Sequence, residues 1–169
     1  MGLPAKLKNF ATFIDGISYV GEVEEVTLPK LKRKTEDWRG GGMPGAVKAD
    51  MGIDALEMEL TAGGFLRDVF TQWGAIKHDA VLIRFAGALQ ADDQEAPQAM
   101  EVTVRGRHEE IDPGNAKAGD KTAFKVKSML SYYKLVLDGE TLIEIDLVNM
   151  IEVIGGQDRM AQVRAILGV

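Results

Sequence analysis

The sequence predicts a mainly β protein, a β-barrel or sandwich with one α-helix packed outside it and a short helix at the C-terminus. Three observations carry this. Apolar and polar residues alternate with period two in one short run after another, the pattern of strands with two different faces. Turn signals separate the runs, with Asp15-Gly16 and Asp138-Gly139 each set between apolar stretches, the strongest short-range hairpin cue. Only two segments carry a helical period.

The elements follow in order. Val23 to Leu31 is a strand candidate that ends in a Lys/Arg patch. From Asp54 to Leu60 the alternation is close to perfect, with Leu56, Met58 and Leu60 on one side and Ala55, Glu57 and Glu59 on the other. Val81, Ile83 and Phe85 alternate with Arg84 and Ala86, and Met100, Val102 and Val104 alternate with Glu101, Thr103 and Arg105. Phe124, Val126, Leu130, Tyr132 and Val136 share one parity, and Ile143, Ile145 and Leu147 oppose Leu142, Glu144 and Asp146. Asp112-Pro113-Gly114-Asn115 reads as a turn, with φ preset at Pro and a permissive Gly. Ala91 to Gln98 reads as a polar surface loop.

Phe65, Leu66, Val69, Phe70 and Trp73 fall on one face of a helix, predicted over 65–73 and ended by Gly74. That face should bury its aromatics. A second helix is predicted over 158–167, capped by Asp158 and striped by Met160, Val163 and Leu167. Between the first strands, Arg39-Gly40-Gly41-Gly42-Met43 cannot belong to a rigid strand interior, so 38–48 is predicted to be a flexible loop that orders against something else. One domain spans residues 1–169.

Composition bounds the function. The chain has 169 residues, 46% of them hydrophobic, enough for one buried core. Net charge is −6, which argues against a surface built to grip phosphate backbones. There is no cysteine, hence no disulfide framework and no thiolate-ligated metal. No segment approaches the roughly 20 apolar residues of a membrane helix, and the first residues lack the apolar core of a secretory signal, so no membrane anchor is expected.

The sequence carries little reaction chemistry. The glycine run lacks the Lys-Ser or Lys-Thr that completes a phosphate loop, and Pro44 interrupts any following helix. His78 and His108 do not share the helical spacing that presents two imidazoles to one zinc, and His108 is expected to be solvated at a strand end. Ser128 and Ser131 read as sheet residues, outside any nucleophile elbow. Glu24-Glu25, Asp92-Asp93 and Glu109-Glu110 are chain neighbours that a strand points to opposite faces. No catalytic residue, metal ligand or cofactor is assigned, and the chain is not expected to be an enzyme. Lys30, Lys32, Arg33 and Lys34 form a basic patch on an acidic protein, read as a docking surface for an acidic face, its own or a partner's.

Several strings, taken together and in order, carry a resemblance. They include Thr27-Leu28-Pro29-Lys30-Leu31, the Arg39–Met43 glycine loop, Ile83-Arg84-Phe85-Ala86-Gly87, Glu110-Ile111-Asp112-Pro113-Gly114, Tyr132-Tyr133-Lys134-Leu135 and Gly156-Gln157-Asp158. The chain resembles the major tail tube proteins of contractile-tailed bacteriophages and R-type pyocins along its whole length. That resemblance implies rings of six subunits whose strands join one inter-subunit β-barrel, stacked into a hollow tube within a contractile sheath. It implies a tape-measure protein, a baseplate and the sheath as partners, and DNA passing through the lumen without specific binding. The place implied is the virion tail, assembled in the cytoplasm of a bacterial host. Exported tube proteins of type VI secretion are the alternative within this fold. A β-barrel ligand-binding module is the alternative from another class, separated by whether the protein sediments as a small particle or as rings and rods.

On that reading, Glu57, Glu59, Glu22 and Glu24 are candidates for an acidic lumen wall that repels phosphate. Arg39, Gly40, Gly41, Gly42 and Met43 are candidates for an inter-subunit loop. Lys30, Lys32, Arg33 and Lys34 are candidates for subunit or sheath docking.

Overall fold

The computed structural model describes residues 2–169. It is mainly β, as the alternation predicts, with two short helices. The strands in chain order are β1 (Lys6–Ile14), β2 (Ile17–Ser18), β3 (Val23–Thr27), β4 (Arg33–Trp38), β5 (Val47–Ile53) and β6 (Leu56–Ala62). Helix α1 (Arg67–Gln72) separates these from β7 (Val81–Gln90), β8 (Gln98–Asp112), β9 (Phe124–Leu137), β10 (Glu140–Asp146), β11 (Ile151–Ile154) and β12 (Gln157–Asp158), and α2 (Ala161–Leu167) ends the chain.

Ten strands make one antiparallel sheet in the order β12-β11-β10-β9-β8-β7-β1-β2, with β6 on β9 and β3 on β6 as a branch. The branch arises because β9 is long enough to serve two neighbours on one edge. Its first half, Phe124 to Leu130, pairs with β6, and its second half, Tyr132 to Leu137, pairs with β10. Between them the pairing to β8 jumps from Arg105↔Tyr132 to Gly106↔Leu130, leaving Ser131 as a bulge. A bulge bends its strand and reverses which residues face inward. Tyr133 is therefore buried and Tyr132 is not, which corrects the single parity expected for 124–136. The two halves fold toward each other and enclose the core. Leu56, Met58 and Leu60 of β6 and Phe124 and Val126 of β9 contribute from one part, and Ile83 and Phe85 of β7 with Val102 and Val104 of β8 from the other.

The turns follow their residues. Asp15 and Gly16 have φ of 48° and 81°, and Asp138 and Gly139 have 49° and 80°. Both pairs close two-residue hairpins with positive φ at both positions, matched to the twist of the flanking strands. The β11–β12 hairpin turns the same way at Gly155 and Gly156.

Several sequence expectations are corrected. Helix α1 covers Arg67–Gln72 rather than 65–73, and its aromatic stripe is not buried in the subunit. Phe65, Phe70 and Trp73 are 63%, 46% and 53% exposed, while Leu66 and Val69 are buried. A helix of under two turns sends one turn inward, and here that turn carries the aliphatic residues; Phe65 and Phe70 lie against the Phe124 ring instead, at 5.9 and 5.3 Å between centroids. Helix α2 begins at Ala161 rather than 158, because Asp158 is the last pair of β12. Asp158 still accepts a bond from the Met160 N–H (3.0 Å) and pairs with Arg164. No residue of α2 is buried.

His108 is not a solvated strand-end residue. It is buried, with Nδ1 2.9 Å from the Ser128 hydroxyl and Nε2 2.9 Å from Gln72 Oε1. The Gln72 oxygen can only accept, so Nε2 donates; burial lowers the pKa of the ring and favours its neutral form, in which Nδ1 accepts from the Ser128 hydroxyl. Gln72 Nε2 in turn donates to Asp15 Oδ2 at 3.0 Å, and Asp15 Oδ1 accepts the Leu82 N–H at 3.0 Å. One polar chain thus ties α1 to β8, β9, β7 and the first hairpin.

Candidate assembly interface

The subunit leaves backbone edges open. β2 covers β1 only at Phe13 and Ile14, so among the described residues no strand pairs with the outer edge of Lys6 to Ala11. Among the described residues β3 pairs with β6 alone, so its outer edge is open too. Such edges present unpaired N–H and C=O groups, a template for another strand.

The segment 33–53 forms the second feature. The predicted flexible loop over 38–48 is instead the end of an ordered hairpin: Trp38 closes β4, Val47 opens β5, and only 39–46 are turn. The sequence hid this because Lys34, Thr35, Glu36 and Asp37 are all polar and show no alternation. The turn is held by its own bonds. Met43 N–H donates to Gly40 O (3.2 Å), Arg39 Nε donates to Met43 O (3.2 Å), and Gly40 N–H points at the Met43 sulfur (3.0 Å). Arg39 and Gly40–Met43 therefore lie together at a hairpin tip.

This hairpin is a separate two-stranded sheet. Its register sorts its side chains. Trp38 opposite Val47 and Glu36 opposite Ala49 share one face, which Lys34 and Met51 continue; Asp37, Lys48, Thr35 and Asp50 share the other. Trp38, Val47 and Met51 are 63%, 54% and 57% exposed. A two-stranded hairpin is at best marginally stable alone in water, and an apolar face left in solvent gives it nothing to fold onto.

The basic patch is divided between local partners. Arg33 pairs with the buried carboxylate of Glu152 on β11 and lies 3.7 Å from Asp50. The bond to Glu152 is the main reason the Arg33 pKa is raised. Lys32 lies 4.0 Å from Asp54, while Lys30 and Lys34 are exposed and outside these pairs. Arg33 is thus the base of the hairpin, tied to its own chain.

Glu57 and Glu59 occupy the outward face of β6, as the alternation places them. Glu24 is exposed on β3 and 3.0 Å from Lys121, and Glu22 is exposed in the preceding turn. The face is not of one sign. Lys127 and Lys125 run beside the acidic row, with Lys127 Nζ 3.3 Å from Glu57, and Glu110 and Asp112 follow on β8. Glu25, opposite Thr61, belongs to this face and was missed, because a bulge between Val23 and Glu25 shifts the β3 register. Among the described residues no group of three or more His, Asp or Glu is placed to hold a metal ion.

Open strand edges, a projecting amphipathic hairpin, exposed aromatics on α1 and a terminal helix with nothing buried define a structural subunit built to be completed by other chains. The comparisons supply the family. The profile described as phage tail tube protein FII matches residues 4–168, and the chain belongs to that family. It is 46% identical over 172 residues to the tail tube protein of Escherichia phage P2, covering all of both chains. It is 42% identical over 153 residues to the major tail tube protein of Serratia phage KSP20, covering 89% of this chain and 88% of that one. In fold it is similar to a chain of the sheath/tube terminator of the extracellular contractile injection system PVC, with a TM-score of 0.57 at 15% identity over 79% of this chain and 96% of that one. A chain of the PVC sheath-tube complex gives 0.57 at 14% identity, covering 79% and 90%.

Proposed function

We propose that copies of this chain complete each other's sheets into six-subunit rings, and that the rings stack into the hollow tube of a contractile tail. The observation that carries this is the pairing of open sheet edges with a projecting hairpin whose apolar side chains Trp38, Val47 and Met51 stay more than half exposed in their own subunit. Joining sheets around a ring removes the edges that otherwise invite uncontrolled aggregation. Stacking is a head-to-tail contact, and such contacts extend without limit, so length and start are set by a tape-measure protein and a baseplate. A sheath assembles outside. The tube conducts DNA or pierces an envelope, and it is built in the host cytoplasm and carried in the virion tail. Glu57, Glu59, Glu22 and Glu24 line the lumen, where the interleaved lysines keep the wall from being uniformly repulsive. The task is structural, and the chain catalyses no reaction.

The test is assembly of the purified protein. Wild-type protein at high concentration should give rings and rods by negative-stain microscopy and a fast-sedimenting boundary. Deleting Gly40 to Gly42 should leave a folded subunit that forms no rods. A wild-type protein that remains a small monodisperse particle under all conditions, or normal rods from the deletion, would count against the proposal.

A further inference from the structure

A hollow of about 460 Å³ opens on the outer side of β1, β7 and the start of β8. Its lining is mostly small and apolar, with Ala11, Ala86, Ala88 and Ala99 at its floor, Val20 and Pro97 beside them, and Asn9 and Gln98 as its polar members. Volumes of about 300–1,000 Å³ hold groups of small-molecule size, so an indole with a neighbouring isopropyl group fits. Ala86 and Ala88 on β7, with Ala11 on β1 and Ala99 on β8 beside them, make a socket, since larger side chains at these positions would fill it.

Beside the socket stands an incompletely matched charge. Arg84 lies two residues from Ala86 on β7, its guanidinium 4.5 Å from the centre of the Phe13 ring. Its Nε is 4.0 Å from its ion-pair partner Glu101, beyond hydrogen-bond reach, and is buried without a hydrogen-bond partner among the described residues.

We infer that the socket receives the hairpin of a second copy of this chain, with Trp38 and Val47 seated over the alanines and Glu36 facing Arg84. The spacing agrees. Glu36 precedes Trp38 by two residues on one face of β4, as Arg84 precedes Ala86 on β7, about 6.6 Å in each case. When β4 of one copy runs in the direction of β7 of the next, placing Trp38 on Ala86 places Glu36 on Arg84. The positions in the sheet agree as well. The hairpin base is tied through Arg33 to Glu152 on β11, near one end of the sheet, and the socket lies on β7 and β1 near the other. A knob at one end and a socket at the other make a heterologous contact, the type that propagates from copy to copy. This deepens the tail tube reading and rests on it.

The chain has no cysteine, so introduced pairs report without background. Val47 lies opposite Trp38 as Ala11 lies opposite Ala86, so oxidised tubes of the double variant Val47→Cys, Ala11→Cys should give a ladder of covalent oligomers on a denaturing gel. The control pair Val47→Cys, Lys117→Cys should give none. Glu36→Arg and Arg84→Glu should each abolish tubes, and the two together should restore them. Normal tubes with no ladder, equal ladders from both pairs, or full tube yield from Glu36→Arg overturn the inference while leaving the tail tube function standing. So does an Ala88→Cys thiol that alkylates freely in finished tubes and is protected only once sheath is added, which gives the socket to the sheath. Failure of the wild-type chain to form any tube would instead remove the function on which it rests.

Discussion

Arg33 at the base of the hairpin donates to Glu152 of β11, a carboxylate buried in the body of the subunit. The pair joins positions 119 residues apart and is the polar tether of an otherwise separate two-stranded sheet. Glu152 loses much of its hydration on burial, whereas Arg33 keeps nearly half of its side chain in solvent.

Removing the cation should therefore matter through the anion left behind. Arg33→Ala should cost about 1–2 kcal/mol, a figure already discounted for the exposure of the arginine. The double variant with Glu152→Gln should recover part of that loss. Urea denaturation of the four proteins of the cycle measures it, and additive losses would mean that the two side chains do not interact.

The exposed aromatics of α1 and the aliphatic residues beneath it should respond oppositely to truncation. Leu66→Ala removes a buried side chain and should cost about 2–5 kcal/mol of subunit stability. Trp73→Ala removes a half-exposed one and should cost no more than about 1 kcal/mol. Thermal unfolding of the unassembled subunit separates the two, and an equal loss from Trp73→Ala would place the indole in the core.

Gly106 stands where β8 meets the bulge in β9, and an added Cβ there would overlap the Met129 carbonyl oxygen and crowd Leu130. The obstruction is backbone, which cannot rotate aside. Gly106→Ala should cost about 3 kcal/mol or more and loosen the junction between the two halves of the sheet. Amide exchange should report faster opening around Leu130 and Tyr132, and unchanged exchange there would argue against a tight junction.

His108 should make stability fall in mild acid. Burial lowers its pKa in the folded chain, only partly offset by the charge of Asp15 beyond Gln72. The unfolded chain takes up a proton near the ordinary histidine value of 6.5 while the folded chain does not. The contribution of His108 is thus complete above that pH and is lost as pH falls below it toward the lowered folded value. Asp158, whose pKa is lowered first by its bond to Arg164, contributes only at more acid pH, from about its ordinary 3.8 downward. Unfolding temperatures between pH 7 and pH 5 should decline in the wild type and decline less in His108→Asn. Parallel profiles would remove His108 as the cause.

Much of the fold was legible because strand faces and tight turns are local properties. The parity of Leu56, Met58 and Leu60 against Glu57 and Glu59, and the positive-φ turns at Asp15-Gly16 and Asp138-Gly139, depend on residues within a few positions of one another. The hairpin was illegible, because the polar run Lys34–Asp37 has no alternation to read and the glycines at its tip read as a flexible loop. The fate of His108 was illegible, since its partners Gln72 and Ser128 are 36 and 20 residues away.

By itself the sequence determined a β fold, its turns, its acidic balance and its kinship with tail tube proteins, all of which follow from neighbouring residues or from order along the chain. Only the tertiary structure decided which edges stay unpaired, that Arg33 turns inward to Glu152, and that Phe70, Trp73 and Trp38 remain at the surface. Burial and pairing are relations between segments far apart in the chain. A side chain's energy is set by what the fold brings beside it, and no local pattern carries that information.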